Sequence, residues 1–256
     1  MELLKSTENV LDVLFIFQTS SDKELGLNEI SRLTNINKST VHKILKSLQN
    51  RWIIEQNINN SKYRLGVGLL QLAGIVLKEL DLREVARPYM KQLAQACTNT
   101  VTLGVKSGNN LTFIERIDGR DNVRFFCDVG KVTPFNGGAA AKALLAHLDT
   151  SEIIEILDKI EAKKFTSKTK NKDEILSELD VIRKRGYSIS DEEVDNGVLA
   201  IGAPIFGYEN KAIAGIAIAG IKQTFTKEIL HLNKELLLTY SKLISKKMGY
   251  VDNINN

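Results

Sequence analysis

The sequence is poor in the residues that most metal and redox chemistry requires. Only two cysteines, Cys97 and Cys127, occur among 256 residues. That is too few for a disulfide framework or a four-thiolate metal site, and it suits a reducing, cytoplasmic setting. Three histidines, His42, His147 and His231, stand singly, with no second histidine at metal-ligand spacing. No G-x-S-x-G elbow, Walker loop or zinc pattern occurs, and neither cysteine has a histidine nearby in sequence. The run Gly66-Val67-Gly68-Leu69-Leu70-Gln71 begins like a dinucleotide fingerprint, but it has Gln71 where the third glycine belongs and lacks the βαβ context. Long apolar runs are missing too. The longest, Ala212 to Ile221, is about half of the ~20 residues that cross a bilayer and reads as a buried strand. The apolar cluster Val10 to Phe17 is interrupted by Asp12 and has neither a basic leader nor a small-residue cleavage pattern, so no signal peptide is expected. These absences leave no catalytic set, metal or cofactor to argue for.

What is present is ordinary globular material with an uneven charge. At 43% hydrophobic and 26% charged residues the chain is expected to fold, and its length favours two unequal units or one large one. The net charge is +4, but from Lys38 to Arg64 six basic residues (Lys38, Lys43, Lys46, Arg51, Lys62, Arg64) face Glu55 alone. That window therefore has a surplus of five, and the rest of the chain sums to about −1. A short basic window of this kind is either a solvated face or a surface for a polyanion.

The pattern around it favours the second. Ser6 is a plausible cap for a first helix carrying Val10, Leu14 and Phe17, and Asn28 for a second carrying Ile30 and Leu33. Asn35 suits a left-handed turn between helices. In the third helix Val41, Ile44, Leu45 and Leu48 define one apolar face, and Ser39, Lys43, Lys46 and Asn50 the other. Trp52 to Gln56 and Lys62 to Leu65 then flank a turn-rich stretch, as in a hairpin. Helix, turn, helix and hairpin describe a winged helix. Lys38, Ser39, Thr40, Lys43 and Lys46 would meet the major groove, with Lys62 and Arg64 on the flanking backbone. Leu69, Leu70, Ala73, Val76, Leu77 and Leu80 read as an amphipathic linker helix.

Beyond residue 80 helices and strands alternate in an α+β order. The spacing predicts a helix over Pro88 to Ala96 and a hairpin of Thr100 to Lys106 with Leu111 to Arg116. A strand over Val123 to Val129 and an Ala-rich helix over Ala139 to His147 follow. Helices at 151–160 and 172–185, strands at 198–206 and 211–219, and a helix from Thr226 to Met248 complete the reading. Gly137-Gly138-Ala139-Ala140-Ala141 after Pro134 either serves close packing or brings free helix-start amides to a carboxylate or phosphate. Ser190-Asp191-Glu192-Glu193 reads as a capping box, an exposed acidic turn or part of a ligand site.

Leu27-Asn28-Glu29-Ile30 through Lys38-Ser39-Thr40-Val41-His42-Lys43-Ile44-Leu45, the wing ending Tyr63-Arg64-Leu65-Gly66, Pro134 to Ala146, and Arg185-Gly186-Tyr187 through Gly220 together resemble the IclR-type bacterial transcriptional regulators. The resemblance covers essentially the whole chain. It implies a mixed α/β (α+β) protein with a winged helix-turn-helix in 1–66, a linker helix in 67–80, a GAF-like effector-binding domain in 81–251 and a frayed tail at 252–256. It further implies a homodimer or dimer of dimers that binds a near-palindromic double-stranded operator under the control of a small organic acid, with repression of a catabolic operon as the expected role. Effector contacts carry over onto Gly138 and the amides of Ala139 and Ala140, and onto the positions of Ser190, Ala200 and Ala217. Relatives that bind small oxo-acids have Asp, Cys and Ser at those last three places, whereas this chain has one hydroxyl and two methyls, which disfavours the most polar ligands. The rival class is an enzyme or metabolite-binding module using its winged helix for protein interaction. The lack of paired catalytic groups argues against the first form and the basic window against the second.

Overall fold

The computed structural model describes residues 4–20, 22–72, 81–119, 127–159 and 164–251. The chain divides into two compact units, Met1–Leu80 and Asp81–Asn256.

In the first unit α1 (Lys5–Thr19), α2 (Leu27–Thr34) and α3 (Lys38–Gln49) precede an antiparallel hairpin of β1 (Ile54–Gln56) and β2 (Tyr63–Leu65). Val13 of α1, Ile30 of α2, and Val41, Ile44, Leu45 and Leu48 of α3 meet Ile54 and Tyr63 of the hairpin in one core. The periodic face of α3 is thus the buried one, as its spacing requires. Helix starts differ from the sequence reading. Leu4, not Ser6, precedes α1 and gives it no side-chain cap. At α2 the N-cap is Gly26, not Asn28, and the Glu29 carboxylate accepts the Gly26 N–H at 2.7 Å. Asn35 does take the left-handed conformation, φ 56° and ψ 28°, and turns the chain between α2 and α3. Asn37 caps α3, its Oδ1 accepting the Thr40 N–H at 2.9 Å. The Gly66/Gly68 pair has a packing role, because a Cβ at Gly66 would lie 2.2 Å from the Trp52 carbonyl oxygen.

The second unit is built on a six-stranded antiparallel sheet in the order β5-β4-β3-β8-β7-β6. Its strands are β3 (Thr100–Ser107), β4 (Asn110–Ile117), β5 (Val132–Pro134), β6 (Ser188–Asp191), β7 (Val198–Phe206) and β8 (Ala212–Ile221). Alternation along β8 sends Ala217 and Ala219 to one face and Ile216 and Ile218 to the other. The alanine face is covered by α5 (Ala139–Leu145), a short helix buried along its whole length, and by α6 (Thr150–Lys159) and α7 (Lys172–Arg185). The isoleucine face takes α4 (Leu82–Cys97) and α8 (Lys227–Lys247), which pack on each other and on the strands.

Three expectations need correction. The helix placed at Pro88 starts at Leu82, because Asp81 accepts the Arg83 and Glu84 N–H groups and nucleates a turn ahead of the proline. Of the strand expected over Val123–Val129, residues 123–126 lie outside the described residues and 127–129 are not strand; the strand in this region is β5. Ser190 and Asp191 belong to the edge strand β6 and Ser190 is buried, so the run Ser190–Glu193 is not a helix capping box. Of the linker helix, residues 68–72 are helical and 73–80 lie outside the described residues, as does the tail 252–256.

Candidate functional site

Two places bring together residues singled out in the sequence. The first is the outer face of α3. Lys38, Ser39, Lys43 and Lys46 are exposed and Thr40 half-buried, opposite the four apolar residues that hold the helix down. Lys38, Lys43 and Lys46 enter no salt bridge among the described residues, so their ammonium groups are free to meet phosphates. The Ser39 hydroxyl is committed differently from the expectation. It donates to Asn37 Oδ1 at 2.8 Å and reinforces the cap, so it offers a ligand its lone pairs first.

The wing carries Lys62 and Arg64, and here the fold adds what the sequence window hid. Glu24 and Glu29, distant in sequence, come to the hairpin: Lys62 lies 3.8 Å from Glu29, and Arg64 lies 3.1 Å from Glu55 and 3.8 Å from Glu24. Hydrogen bonds from Asn60 and Asn57, then Arg64 and Lys62, hold the Glu24 carboxyl below its ordinary range. The Gly26 N–H, then Lys62, does the same for Glu29. Six cations now face three acids. The basic surplus of this unit is therefore concentrated on α3, and wing cations must exchange a carboxylate for a phosphate. Exposed pairs of this kind are worth only about 0–1 kcal/mol, so the exchange is cheap.

The second place is a cavity of about 70 Å³ between α5 and the sheet. Gly138, Ala139, Ala140, Ser190, Ala200 and Ala217, which come from α5 and its N-terminus, β6, β7 and β8, all line it. The close approach of α5 to the sheet depends on two glycines: a Cβ at Gly215 would lie 2.1 Å from the Ala140 carbonyl oxygen, and one at Gly202 2.5 Å from that of Ala139. Ser188 Oγ donates to the Ala139 carbonyl at 2.6 Å and pins the helix there. Gly138 sits at φ 89°, caps α5 without a side chain, and leaves its first-turn amides to whatever fills the space.

The register explains the floor. Ser190 pairs with Ala200, Ala200 with Ala219, and Ala217 with both Gly202 and Thr102, so small side chains from four adjacent strands form a continuous shallow surface. Ala219 and Val198 also line the cavity, two residues from Ala217 and Ala200, and strand alternation could have flagged both. Phe113, Thr133 and Cys127 close the other side, and no sequence pattern marked them as lining a site. Burial pushes the Cys127 thiol up to about 11, so it is an unreactive wall at neutral pH. Asp195, half-buried, is the one charged side chain of the described lining; no lysine or arginine lines it. The site can therefore hold a small molecule by N–H and O–H dipoles against methyl and phenyl walls.

A fully buried lysine fixes one edge of this cavity. Lys142 on α5 reaches Glu193 at 2.8 Å, Glu178 on α7 at 2.9 Å and the Ile189 carbonyl on β6 at 2.6 Å. Burial pulls the ammonium below its ordinary lysine value, while Glu193 and Glu178 oppose its deprotonation. The segment that follows carries Val194 and Asp195 into the lining, so this cluster ties the roof helix to the rim. Thr169 Oγ1 and Thr166 Oγ1 hold the same segment by donating to the Glu193 and Glu192 carbonyls, each at 2.7 Å.

The family model described as the IclR helix-turn-helix domain matches residues 6–57, and that described as bacterial transcriptional regulator IclR C-terminal matches residues 74–246. The chain is 33% identical to the HTH-type transcriptional regulator KipR of Bacillus subtilis over 88% of its own length and 90% of that protein's. Among solved structures it is similar to an IclR-type regulator from Silicibacter sp. TM1040, with a TM-score of 0.87 at 22% identity over 97% of each chain. The repressor BlcR of Agobacterium tumefaciens matches with a TM-score of 0.76 at 26% identity, over 96% of this chain and 98% of that one.

Proposed function

This chain belongs to the IclR family of bacterial transcriptional regulators, and from that premise we propose that it represses a catabolic operon and releases it in response to a small organic acid bound beneath α5. DNA binding and a C-terminal effector domain come with the family. The single observation that carries the sensing half is the meeting of Gly138, Ala139, Ala140, Ser190, Ala200 and Ala217 around one cavity. Repression is favoured by the description of BlcR, a repressor similar over nearly the whole chain.

On the DNA side, Lys38, Ser39, Thr40, Lys43 and Lys46 meet the major groove and its phosphates, and Lys62 and Arg64 the flanking backbone. Two such winged helices, in a homodimer or dimer of dimers, read the halves of a near-palindromic operator. The acid's carboxylate accepts the N–H groups of Ala139 and Ala140, and its less polar body lies on the methyls of Ala200 and Ala217. An acid that prefers one arrangement of the effector domains shifts the balance between operator-competent and incompetent states.

The test is thermal unfolding of the full chain against carboxylates graded in polarity, from oxo-acids and sugar acids to aliphatic and aromatic acids. Ligand at about 100 times its Kd adds roughly 2.7 kcal/mol, a shift of several degrees. A shift with the less polar acids supports this reading; a shift with sugar acids alone contradicts the methyl-lined floor.

A further inference from the structure

We propose that Thr133 is the specificity-determining residue of this cavity, and that the effector is a small monocarboxylic acid carrying one hydroxyl besides its carboxylate. The inference rests on the organic-acid reading above and narrows it to a ligand class.

Thr133 lies on β5 and pairs with Leu111 of β4, whose side chain belongs to the core beneath α5, so the threonine faces the same side of the sheet. It is 2% exposed and lines the cavity, and its Oγ1 finds no hydrogen-bonding partner among the described residues. Buried hydroxyls almost always have partners, because leaving one unpaired forfeits its hydration without return. The neighbouring loop leaves room beside this oxygen only because residue 137 is glycine: a Cβ there would lie 2.5 Å from Oγ1. Across the cavity Ala200, Ala217 and Ala219 present only methyls. The floor keeps hydroxyls at Ser190 and Thr102, but of these three hydroxyls it is Thr133 whose oxygen is buried with no hydrogen-bonding partner among the described residues.

A hydroxyl on the ligand matches a threonine hydroxyl, since each can donate and accept. A second carboxylate does not match, because the described lining offers no cation and already includes Asp195. The ligand class follows: one charge for the α5 amides, one uncharged oxygen for Thr133, and a carbon frame small enough for about 70 Å³.

The experiment is titration calorimetry of the full chain and of Thr133→Val with the straight-chain acids of three and four carbons, each as the parent acid and as every positional monohydroxy derivative. Valine keeps the shape and removes the hydroxyl, while Thr133→Ser keeps the hydroxyl. The wild type is expected to bind at least one hydroxy acid about tenfold more tightly than its parent. Thr133→Ser should keep that preference. Thr133→Val should lose it, bind the parent acid as before, and melt no lower than the wild type without ligand. A preference that survives in Thr133→Val, or wild-type binding with no preference for hydroxy acids, overturns the role of Thr133 and leaves the organic-acid reading standing. If no acid of the series binds the wild type while other carboxylates shift its melting, the ligand class is wrong. If no carboxylate of any kind binds, the organic-acid reading falls and takes this inference with it.

Discussion

Replacing Lys142 by Met should uncouple the cavity's roof from its rim, at a cost that the structure allows one to work out. The lysine side chain is 0% exposed, Glu193 5% and Glu178 14%. Glu178 keeps Lys170 at 2.5 Å and Arg185 at 3.4 Å when Lys142 is gone. Among the described residues Glu193 keeps only Lys170 as a salt-bridge partner, at 3.5 Å. The main penalty is therefore a buried Glu193 carboxylate deprived of its closest cation. Breaking a buried pair on one side costs about 3–5 kcal/mol, and the remaining lysine puts this case at the lower end, about 3 kcal/mol. For a unit of this size that lowers Tm by roughly 6–12 °C. Adding Glu193→Gln should restore a large part of the loss, since the orphaned charge is then removed.

Acid titration gives an independent signature. Burial pushes the Glu178 carboxyl up, but Lys142 and Lys170 more than offset it, and its folded value lies below the ordinary 4.5. Its stabilisation is therefore complete above about 4.5 and disappears as the pH falls through the lower folded value. Without Lys142 this acid limb should be shallower. Differential scanning calorimetry and urea unfolding between pH 3 and 7 make the comparison. A Lys142→Met protein melting within about 2 °C of wild type would refute the reasoning.

Gly215→Ala should push α5 off the sheet, because its Cβ would lie 2.1 Å from the Ala140 carbonyl oxygen. A loss of about 1–3 kcal/mol, read by urea unfolding, should accompany a weaker melting response to bound acids. Glu29→Gln should strengthen DNA binding about two- to fivefold at low salt, because Lys62 is released while the glutamine still accepts the Gly26 N–H. Fluorescence anisotropy with a labelled duplex measures it, and a fall in affinity would contradict the competition between carboxylate and phosphate.

The parts legible in the sequence were those set by local periodicity. The apolar face of α3, the left-handed Asn35 and the hairpin of Thr100 to Lys106 with Leu111 to Arg116 each depend on a few adjacent residues, and each is found. What depended on distant partners was hidden. Glu24 and Glu29 neutralise part of the wing only because α2 folds against the hairpin. β6 is a four-residue edge strand, and the run Ser190–Glu193 alone does not show that Ser190 pairs with Ala200 and is buried there. Thr133 carries no pattern at all, and its significance comes from burial without a partner. The Pro88 helix was misplaced for a simpler reason. The Asp81 cap lies seven residues ahead of the proline, and the spacing over Pro88 to Ala96 does not include it.

The central claim is that the free lysines of α3 hold DNA. It is tested most directly by measuring affinity against salt for a duplex that the full chain itself selects from a random-sequence pool, with wild type and Lys43→Ala side by side. Each phosphate contact contributes about 0.9 to the slope of log K against log salt. The account predicts weaker binding and a slope shallower by about that amount for Lys43→Ala. An unchanged affinity with an unchanged slope would contradict it.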